Sequence, residues 1–351
     1  MNLIELLQFA AQEKASDIFI VAGRPFSYKV NGKLFSMGEA LKPADTEELV
    51  KEIYHLDKDR PMDDFLKKGD NDFSLTISGL ARFRVCTYLQ RGSMAAVIRL
   101  ISFVLPDPVE LCIPETVLRQ AMIPKGLVLV TGSAGSGKST TLACMVDRIN
   151  TEREYHIITL EDPLEYLHRH KKSIVSQREV GSDTRDYLIA LRAALRQSPD
   201  VILLGEMRDF ETIQTAMTAA ETGHLVLSSL HTVGAANTIN RIIDVFDPSQ
   251  QRQIAVQLSM VLKAVISQQL VPTVDGGMAP VFEIMTMNPA ISTMIRDNRI
   301  HQIDGTIQTG GKDGMVSMDA SLAALYKAGK ITKETAMTYC LNTDSMMKQL
   351  R

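Results

Sequence analysis

The stretch Gly132-Ser133-Ala134-Gly135-Ser136-Gly137-Lys138-Ser139 decides the fold of this chain. It matches the pattern G-x-x-x-x-G-K-[ST] of a phosphate-binding loop (P-loop) at every fixed position. An apolar, β-branched run over residues 126–131 precedes it, and an apolar pattern with helical period follows over residues 140–149. Because a P-loop joins a buried strand to a helix, both flanks agree with the motif. The sequence therefore predicts a nucleoside triphosphate site in an α/β domain.

The residue types in this loop suit phosphate binding. Glycine lacks a Cβ atom, so the backbone wraps closely and points successive N–H groups at phosphate oxygens. Lys138 adds a positive charge at the β/γ end of a triphosphate, and the Ser139 hydroxyl is a ligand for Mg²⁺. We therefore expect ATP and Mg²⁺ as ligands. The predicted nucleotide-binding residues are Ser133, Ala134, Gly135, Ser136, Gly137, Lys138, Ser139 and Thr140.

Composition narrows the class of protein. The chain has 351 residues and a formal net charge of −3. It therefore lacks the overall basic charge that would favour binding to nucleic acid. Its 4 cysteines are scattered without a C-x-x-C pair, which argues against a zinc site and a disulfide framework. We see no signal peptide and no apolar stretch long enough to span a bilayer. These features predict a cytoplasmic protein without a membrane span.

The chain is predicted to have two domains. Residues 1–100 combine amphipathic helices with alternating strand patterns, which indicates an α+β domain with an antiparallel meander. Residues 101–125 form the predicted linker, because prolines crowd this segment and restrict its backbone. From residue 126 to residue 351, strands alternate with helices, as in a mostly parallel sheet covered by helices.

Acidic residues follow two predicted strands of the second domain. Glu161 and Asp162 end one strand, and Glu165 lies three positions later. Glu206 follows another strand in the manner of a Walker B acid, although aspartate is usual there. Ligands of parallel sheets bind at the carboxyl ends of strands, where such groups orient water or Mg²⁺. Capping of a turn is the structural alternative for Glu161 and Asp162.

Two histidines flank a third predicted strand. His224 precedes it and His231 ends it. We expect both to sense the γ-phosphate and to link hydrolysis to movement of the following helix. A partly buried histidine with satisfied hydrogen bonds is the alternative for His231.

The ordered motifs resemble those of one family. After the P-loop come Glu161-Asp162-Pro163-Leu164-Glu165, Gly205-Glu206-Met207-Arg208-Asp209 and Leu230-His231-Thr232. This order resembles the secretion and pilus ATPases of the type II/IV superfamily, and within them the type IV pilus retraction ATPases (the PilT family). The resemblance runs nearly from end to end. It implies a RecA-like P-loop NTPase core, a smaller N-terminal α+β (PAS-like) domain and a homohexameric ring.

The resemblance also implies roles for individual residues. Glu165 resembles the catalytic glutamate that orients the attacking water, and Glu206 would complete the Mg²⁺ shell through water. Arg84 and Arg99 match the spacing of paired arginines that enter a neighbouring subunit's site, with Arg82 as a further candidate. Solvated strand arginines are the alternative.

A second arginine pair lies before the Walker B strand. Arg192 and Arg196 are spaced i and i+4, so we expect both on one helix, at the same interface or in surface ion pairs.

Two smaller features of the sequence bear on whether the chain is a retraction, an assembly or a secretion ATPase. A tetracysteine insertion, usual in assembly and secretion members, is absent from the sequence, which favours a retraction motor at the inner face of the cytoplasmic membrane, acting on an inner-membrane pilus platform protein. However, residues 290–297 read Ala-Ile-Ser-Thr-Met-Ile-Arg-Asp instead of the family's Ala-Ile-Arg-Asn-Leu-Ile-Arg-Glu. Pilus extension or type II secretion, DNA translocation and non-hydrolytic regulation remain the alternatives.

Overall fold

A computed structural model of the chain describes residues 2–30, 32–77, 79–101 and 105–350. The chain divides into two compact units. The first unit comprises Met1–Val104 and Leu164–Leu167, and the second comprises Leu105–Pro163 and His168–Arg351. The sequence did not predict that residues 164–167 group with the first unit. Residues 102–104 of the predicted linker lie outside the described residues.

The first unit is an α+β domain built on a six-stranded antiparallel sheet. Its strand order is β3-β2-β1-β6-β5-β4. Alternate residues of β5, such as Phe83 and Val85, are fully buried, because one sheet face packs against the apolar sides of the helices. The elements are α1 (Leu3–Gln12), β1 (Asp17–Ile20), β2 (Phe26–Val30), β3 (Lys33–Met37), α2 (Pro43–Leu56), α3 (Asp63–Lys68), β4 (Asp70–Ile77), β5 (Ala81–Gln90) and β6 (Ser93–Ile101).

The second unit is built on a seven-stranded sheet of order β13-β12-β7-β11-β10-β8-β9. All neighbouring strands are parallel except β12 and β13. Its strands are β7 (Gly126–Thr131), β8 (His156–Glu161), β9 (Ile174–Glu179), β10 (Val201–Leu204), β11 (Leu225–Leu230), β12 (Leu262–Pro272) and β13 (Met278–Thr286). Its α-helices are α4 (Glu115–Arg119), α5 (Lys138–Glu152), α6 (Tyr187–Ala194), α7 (Phe210–Glu221), α8 (Ala235–Asp244), α9 (Pro248–Val261), α10 (Pro289–Arg296), α11 (Ile303–Thr309), α12 (Met318–Lys327), α13 (Lys333–Tyr339) and α14 (Thr343–Gln349).

Helices cover both faces of this sheet, so its central strands are buried on both sides. Every residue of β7, β10 and β11 is buried, and two large apolar clusters lie on the opposite faces. The register places Thr131 opposite Leu230, and Leu204 opposite Leu160. The carboxyl ends of β7, β8, β10 and β11 therefore lie along one edge. This confirms the predicted α/β P-loop core with a smaller α+β domain.

Two further findings bear on the sequence predictions. The prediction that Arg192 and Arg196 share a helix is wrong, because α6 ends at Ala194 and the Arg196 N–H donates to the Ala193 carbonyl in a turn. Among the described residues, no helix is long and apolar enough to cross a membrane.

Candidate nucleotide-binding site

The P-loop of the second unit leaves β7 at Thr131 and enters α5 at Lys138. Gly132 has a φ of +146°, and a Cβ atom there would lie 2.1 Å from the Gln268 carbonyl oxygen. Gly137 has a φ of +87°, and its Cβ would lie 2.9 Å from Gln268 Nε2. Side chains at both positions are therefore excluded by backbone conformation and by β12, which explains two of the motif's glycines.

Lys138 lies inside the loop and is only 8% exposed. Its Nζ donates to the carbonyls of Gly132, at 2.9 Å, and Ser133, at 2.8 Å. The hydroxyl of Ser136 is buried without a hydrogen-bond partner among the described residues. Buried hydroxyls are normally paired, so this hydroxyl, beside a buried ammonium and the helix N-terminus, fits a phosphate oxygen. Ser139 and Thr140 are half-buried in the first turn of α5.

Gln268 supports the loop, and the sequence did not predict this role. It is 3% exposed on β12, and its Oε1 accepts from the Thr141 hydroxyl at 2.7 Å. The side chain therefore ties the first turn of α5 to a neighbouring strand.

Glu206 lies beyond β10 and forms the acidic side of the site. Its side chain is 13% exposed, and its carboxylate forms an ion pair with Arg208 and a hydrogen bond with His231, whose Nε2 lies 3.3 Å away. Burial alone would raise the pKa of Glu206, but the hydrogen bonds and charges of Arg208 and His231 lower it below its ordinary value. Glu206 is therefore a carboxylate near neutral pH.

His231 connects this carboxylate to the P-loop. Its Nδ1 lies 3.5 Å from Lys138 Nζ, while its Nε2 faces Glu206. An ammonium group can only donate, so Nδ1 accepts and Nε2 carries the proton toward the carboxylate. The predicted Lys138, Glu206 and His231 thus meet at one edge of the sheet.

The structure does not bring His224 to this edge. It precedes β11, its carbonyl accepts from the Gly126 N–H, and its ring Nδ1 lies 2.9 Å from the Ala219 carbonyl oxygen. Gly126 begins β7, whereas the P-loop follows the end of that strand. The prediction that both histidines sense one phosphate is therefore wrong within a single subunit, since the length of a strand separates them.

The end of β8 adds acidic groups and one residue that the sequence did not predict. Glu161 Oε1 accepts from Gln177 Nε2 at 3.4 Å, and Asp162 is exposed. Burial raises the pKa of Tyr187, as do Asp162 and Glu206, so its phenol stays protonated among these acids. A Cβ atom at position 205 would lie 2.9 Å from the Tyr187 hydroxyl, which explains glycine beside Glu206.

The remaining predicted residue of the second unit lies on its surface. Arg192 is exposed and lies 3.8 Å from Glu211 in an ion pair. Exposed pairs of this kind add little stability. Its surroundings thus agree with the surface alternative.

In the first unit, two of the predicted arginines lie on neighbouring strands. Arg84 and Arg99 lie directly opposite each other on β5 and β6. Arg84 binds Asp72, with Nη2 and Oδ2 2.6 Å apart, and Arg99 binds Asp17 at 3.0 Å. Both arginines are exposed on one face of the sheet.

The other two candidates of this unit are Arg82 and Glu165. Arg82 Nη1 donates to the Thr76 hydroxyl at 3.4 Å. Glu165 is exposed within Leu164–Leu167, the short segment that groups with the first unit.

A cavity of about 630 Å³ opens beside the P-loop in the second unit. Gly137, Thr140 and Gln268 line one side of it. Leu270, Met278, Pro280 and Leu325 give much of the remainder an apolar surface. Its size and its contact with the phosphate loop suit the base and ribose of a nucleotide.

Comparison with known proteins extends these observations. The model of the type II/IV secretion system protein family matches residues 2–286. The type IV pilus retraction ATPase PilT of Pseudomonas aeruginosa is 44% identical over 336 residues, which is 96% of this chain and 97% of that protein. The type IV pilus ATPase PilU of the same organism is 38% identical over a match of 353 positions, gaps included, that covers 100% of this chain and 92% of that protein.

A solved structure resembles the whole chain. The crystal structure of the pilus retraction motor PilT with bound ADP has a TM-score of 0.91 and 42% sequence identity, and the match covers 99% of each chain. The P-loop, the acidic strand ends and the likeness along the entire length agree with one another. The chain therefore belongs to the type II/IV secretion system protein family and, within it, to the PilT-type pilus ATPases.

Proposed function

We propose that this chain hydrolyses ATP and uses the free energy to retract type IV pilus filaments, as part of a homohexameric ring. The observation that carries the proposal is the contact of Lys138, His231 and Glu206 around the P-loop. The names of the retraction ATPase PilT and of the pilus retraction motor support the mechanical part.

ATP binding follows from the loop itself. Lys138 would exchange its contacts with the Gly132 and Ser133 carbonyls for phosphate oxygens, and the Ser136 hydroxyl would gain its missing partner. The amides of residues 133–140 and the α5 N-terminus complete the phosphate site. The adjacent cavity would receive the base.

Mg²⁺ fits the oxygen groups of this site. Among the described residues, no three acidic, histidine or cysteine side chains group as a metal site, so most ligands would come from phosphates and water. Ser139 would supply its hydroxyl, and the ionised Glu206 would bind through water. When bound at Ser139 and Glu206, Mg²⁺ would supply positive charge to the phosphates.

Glu165 is the proposed base that orients water for attack on the γ-phosphate. His231 would sense the γ-phosphate through Lys138. When the γ-phosphate leaves, His231 would move and shift Glu206 and α8. Arg84 and Arg99 would reach the site from a neighbouring subunit and stabilise charge as the phosphate leaves. A closed ring lets every subunit both give and receive these arginines.

The proposed place of work is the cytoplasmic side of the inner membrane, against a pilus platform protein. Deletion of the gene tests the direction of work. We expect cells with excess surface pili and no twitching motility, restored by the wild-type gene but not by Lys138→Ala. Loss of surface pili would contradict retraction and favour extension. Purified protein must also release phosphate from ATP, because a protein without turnover would contradict the motor function.

A further inference from the structure

Glu283 is a buried carboxylate to which neither the P-loop motif nor the proposed hydrolysis assigns a role. It lies on β13 of the second unit and is 3% exposed. Its Oε1 accepts from the Ala235 N–H at 2.8 Å, and its Oε2 accepts from the Met318 N–H at 3.3 Å. Ala235 begins α8, and Met318 begins α12. One carboxylate therefore holds the N-termini of two helices.

The first of these helices follows the histidine of the nucleotide site. Gly234, with a φ of +90°, precedes α8, and its N–H donates to the Ser267 hydroxyl at 2.9 Å. Ser267 lies directly opposite Glu283 in the β12–β13 pair. Two successive amides, three and four residues after His231, are thus fixed by β12 and β13, so these strands help to set where the His231 ring meets Lys138 and Glu206.

The second helix belongs to a cluster at the C-terminus. Helices α12, α13 and α14 pack together on Val271 and Val281 of the β12–β13 pair, and we call them the C-terminal helical cluster. Asp319, in the first turn of α12, accepts from the N–H groups of Leu341, at 2.8 Å, and Asn342, at 3.2 Å. These residues precede α14. A second carboxylate therefore extends the connection from Glu283 to the last helix.

Both contacts of Glu283 need a group with two accepting oxygens. Each oxygen accepts one N–H, from the first residue of a helix. The pKa of Glu283 is raised above its ordinary value: burial raises it most, the two N–H groups lower it, and the charges of Asp304 and Asp319 raise it. Glutamine has the same shape but only one accepting oxygen, so its NH₂ group would face one of the N–H donors.

We propose that Glu283 is a positioning residue that couples the His231 segment to the C-terminal helical cluster. When the nucleotide moves His231, α8 shifts at its N-terminus, and Glu283 transmits that shift to α12 and, through Asp319, to α14. The inference rests on the proposed ATP hydrolysis, and it identifies the C-terminal helical cluster as the element that moves in response to the nucleotide.

Full-length wild type, Glu283→Gln, Asp319→Asn and Glu334→Gln test this coupling, with Glu334 as an exposed control on α13. Two quantities are measured: steady-state ATP turnover, and hydrogen exchange of residues 339–350 with and without a non-hydrolysable ATP analogue. For Glu283→Gln we expect kcat to fall about tenfold, with KM within about twofold, because His231 is misplaced while the P-loop is intact. The analogue's effect on exchange should disappear.

Asp319→Asn keeps the proposal testable if Glu283→Gln fails to fold. It cuts the connection after α12, so kcat should stay near wild type while the exchange response of residues 339–350 is lost. The response should persist in Glu334→Gln. The proposal is overturned if wild type hydrolyses ATP without any exchange response, or if the response persists in Asp319→Asn. A wild type that neither binds nor hydrolyses ATP would overturn the proposed function itself.

Discussion

Glu161 and Glu165 are the two candidates for the base that activates water, and their exposure to solvent differs. Glu161 accepts a hydrogen bond from Gln177 and is half-buried, whereas Glu165 is exposed. A group that activates water needs access to it, which favours Glu165 as the base.

Glu165→Gln should bind ATP normally and hydrolyse it about 10²–10⁴-fold more slowly, because glutamine keeps the shape and loses the base. Glu161→Gln is the matched control and should retain most of the turnover. Nucleotide affinity and phosphate release are measured on both proteins. An active Glu165→Gln beside a dead Glu161→Gln would assign the base to Glu161.

Glu206 gives a pH-dependent prediction. Its folded pKa lies below its ordinary value of 4.5, so its ion pair and hydrogen bond stabilise the folded state above that pH. The contribution is lost as pH falls through the folded pKa. Thermal melts should show Glu206→Gln less stable than wild type at pH 6, with the difference shrinking below pH 4.5.

The exposed Glu211, 3.8 Å from Arg192, supplies the control. Glu211→Gln should melt close to wild type at every pH, because exposed ion pairs contribute little. A Glu206→Gln difference that grows toward acid pH would show that the sign of the pKa shift is wrong.

Site residues that lie in short sequence motifs could be predicted, whereas site residues that depend on partners far away in the sequence could not. Lys138, Glu206 and His231 sit in short motifs at strand ends, and the parallel sheet brings them together. Gln268 binds Thr141 across 127 positions, and the neighbours of Tyr187 are likewise set by strand order. Such contacts leave no pattern in the local sequence, so only the folded chain reveals them.

Among the elements, α10 carries the segment in which this chain departs from its family. Ile291 and Ile295 are fully buried and fix the helix, so its apolar face is retained. The Ser292 hydroxyl donates to the Ser259 carbonyl, at 3.1 Å, near the end of α9, while the Thr293 hydroxyl bonds within α10. Met294, the third substituted position, packs against the core and accepts from the Thr306 hydroxyl at 3.6 Å. The substitutions therefore change surface and helix contacts and one residue at the margin of the core.

Replacement of Ser292-Thr293-Met294 by the family's Arg-Asn-Leu should alter retraction speed while ATP turnover stays within about twofold. The reason is that α10 packs mainly against α9 and α11, which carry none of the predicted site residues. Twitching speed and purified ATPase activity are compared. Thr309→Ala is the control, since the hydrogen bonds that this hydroxyl forms in the described part of the chain lie within its own helix. A large loss of turnover would place α10 in the hydrolysis machinery.

At the scale of the whole molecule, each unit folds around its own core, and the ring is the proposed means of completing the site. The fold was predictable because the P-loop, its two flanks and the alternation of strands and helices all point to one architecture. The grouping of residues 164–167 with the first unit was not predictable, because the surrounding strand pattern belongs to the second.

Mixed rings test whether Arg84 acts in a neighbouring subunit. Arg84→Ala alone should lose about 10³–10⁵ in rate with ATP affinity retained, and Lys138→Ala should lose ATP binding. A mixed ring contains interfaces that join an intact Arg84 to an intact Lys138, so mixing should restore activity that neither parent has. Turnover is measured against the mixing ratio, with subunit exchange followed by fluorescence energy transfer.

An Arg84→Lys protein is the control for charge, since lysine keeps the charge but loses the planar two-point contact. Wild-type turnover in Arg84→Ala would end the trans model. Absence of recovery despite full subunit exchange would also count against it.

The ion pairs of Arg84 with Asp72 and of Arg99 with Asp17 have a consequence for regulation. Each arginine already has an anionic partner on its own sheet, so in the proposed ring a neighbour's phosphate would have to compete with that carboxylate. The terminal phosphate of a nucleotide carries more charge than one carboxylate, which would favour the exchange. Beside an empty neighbour, each arginine would stay paired on its own sheet.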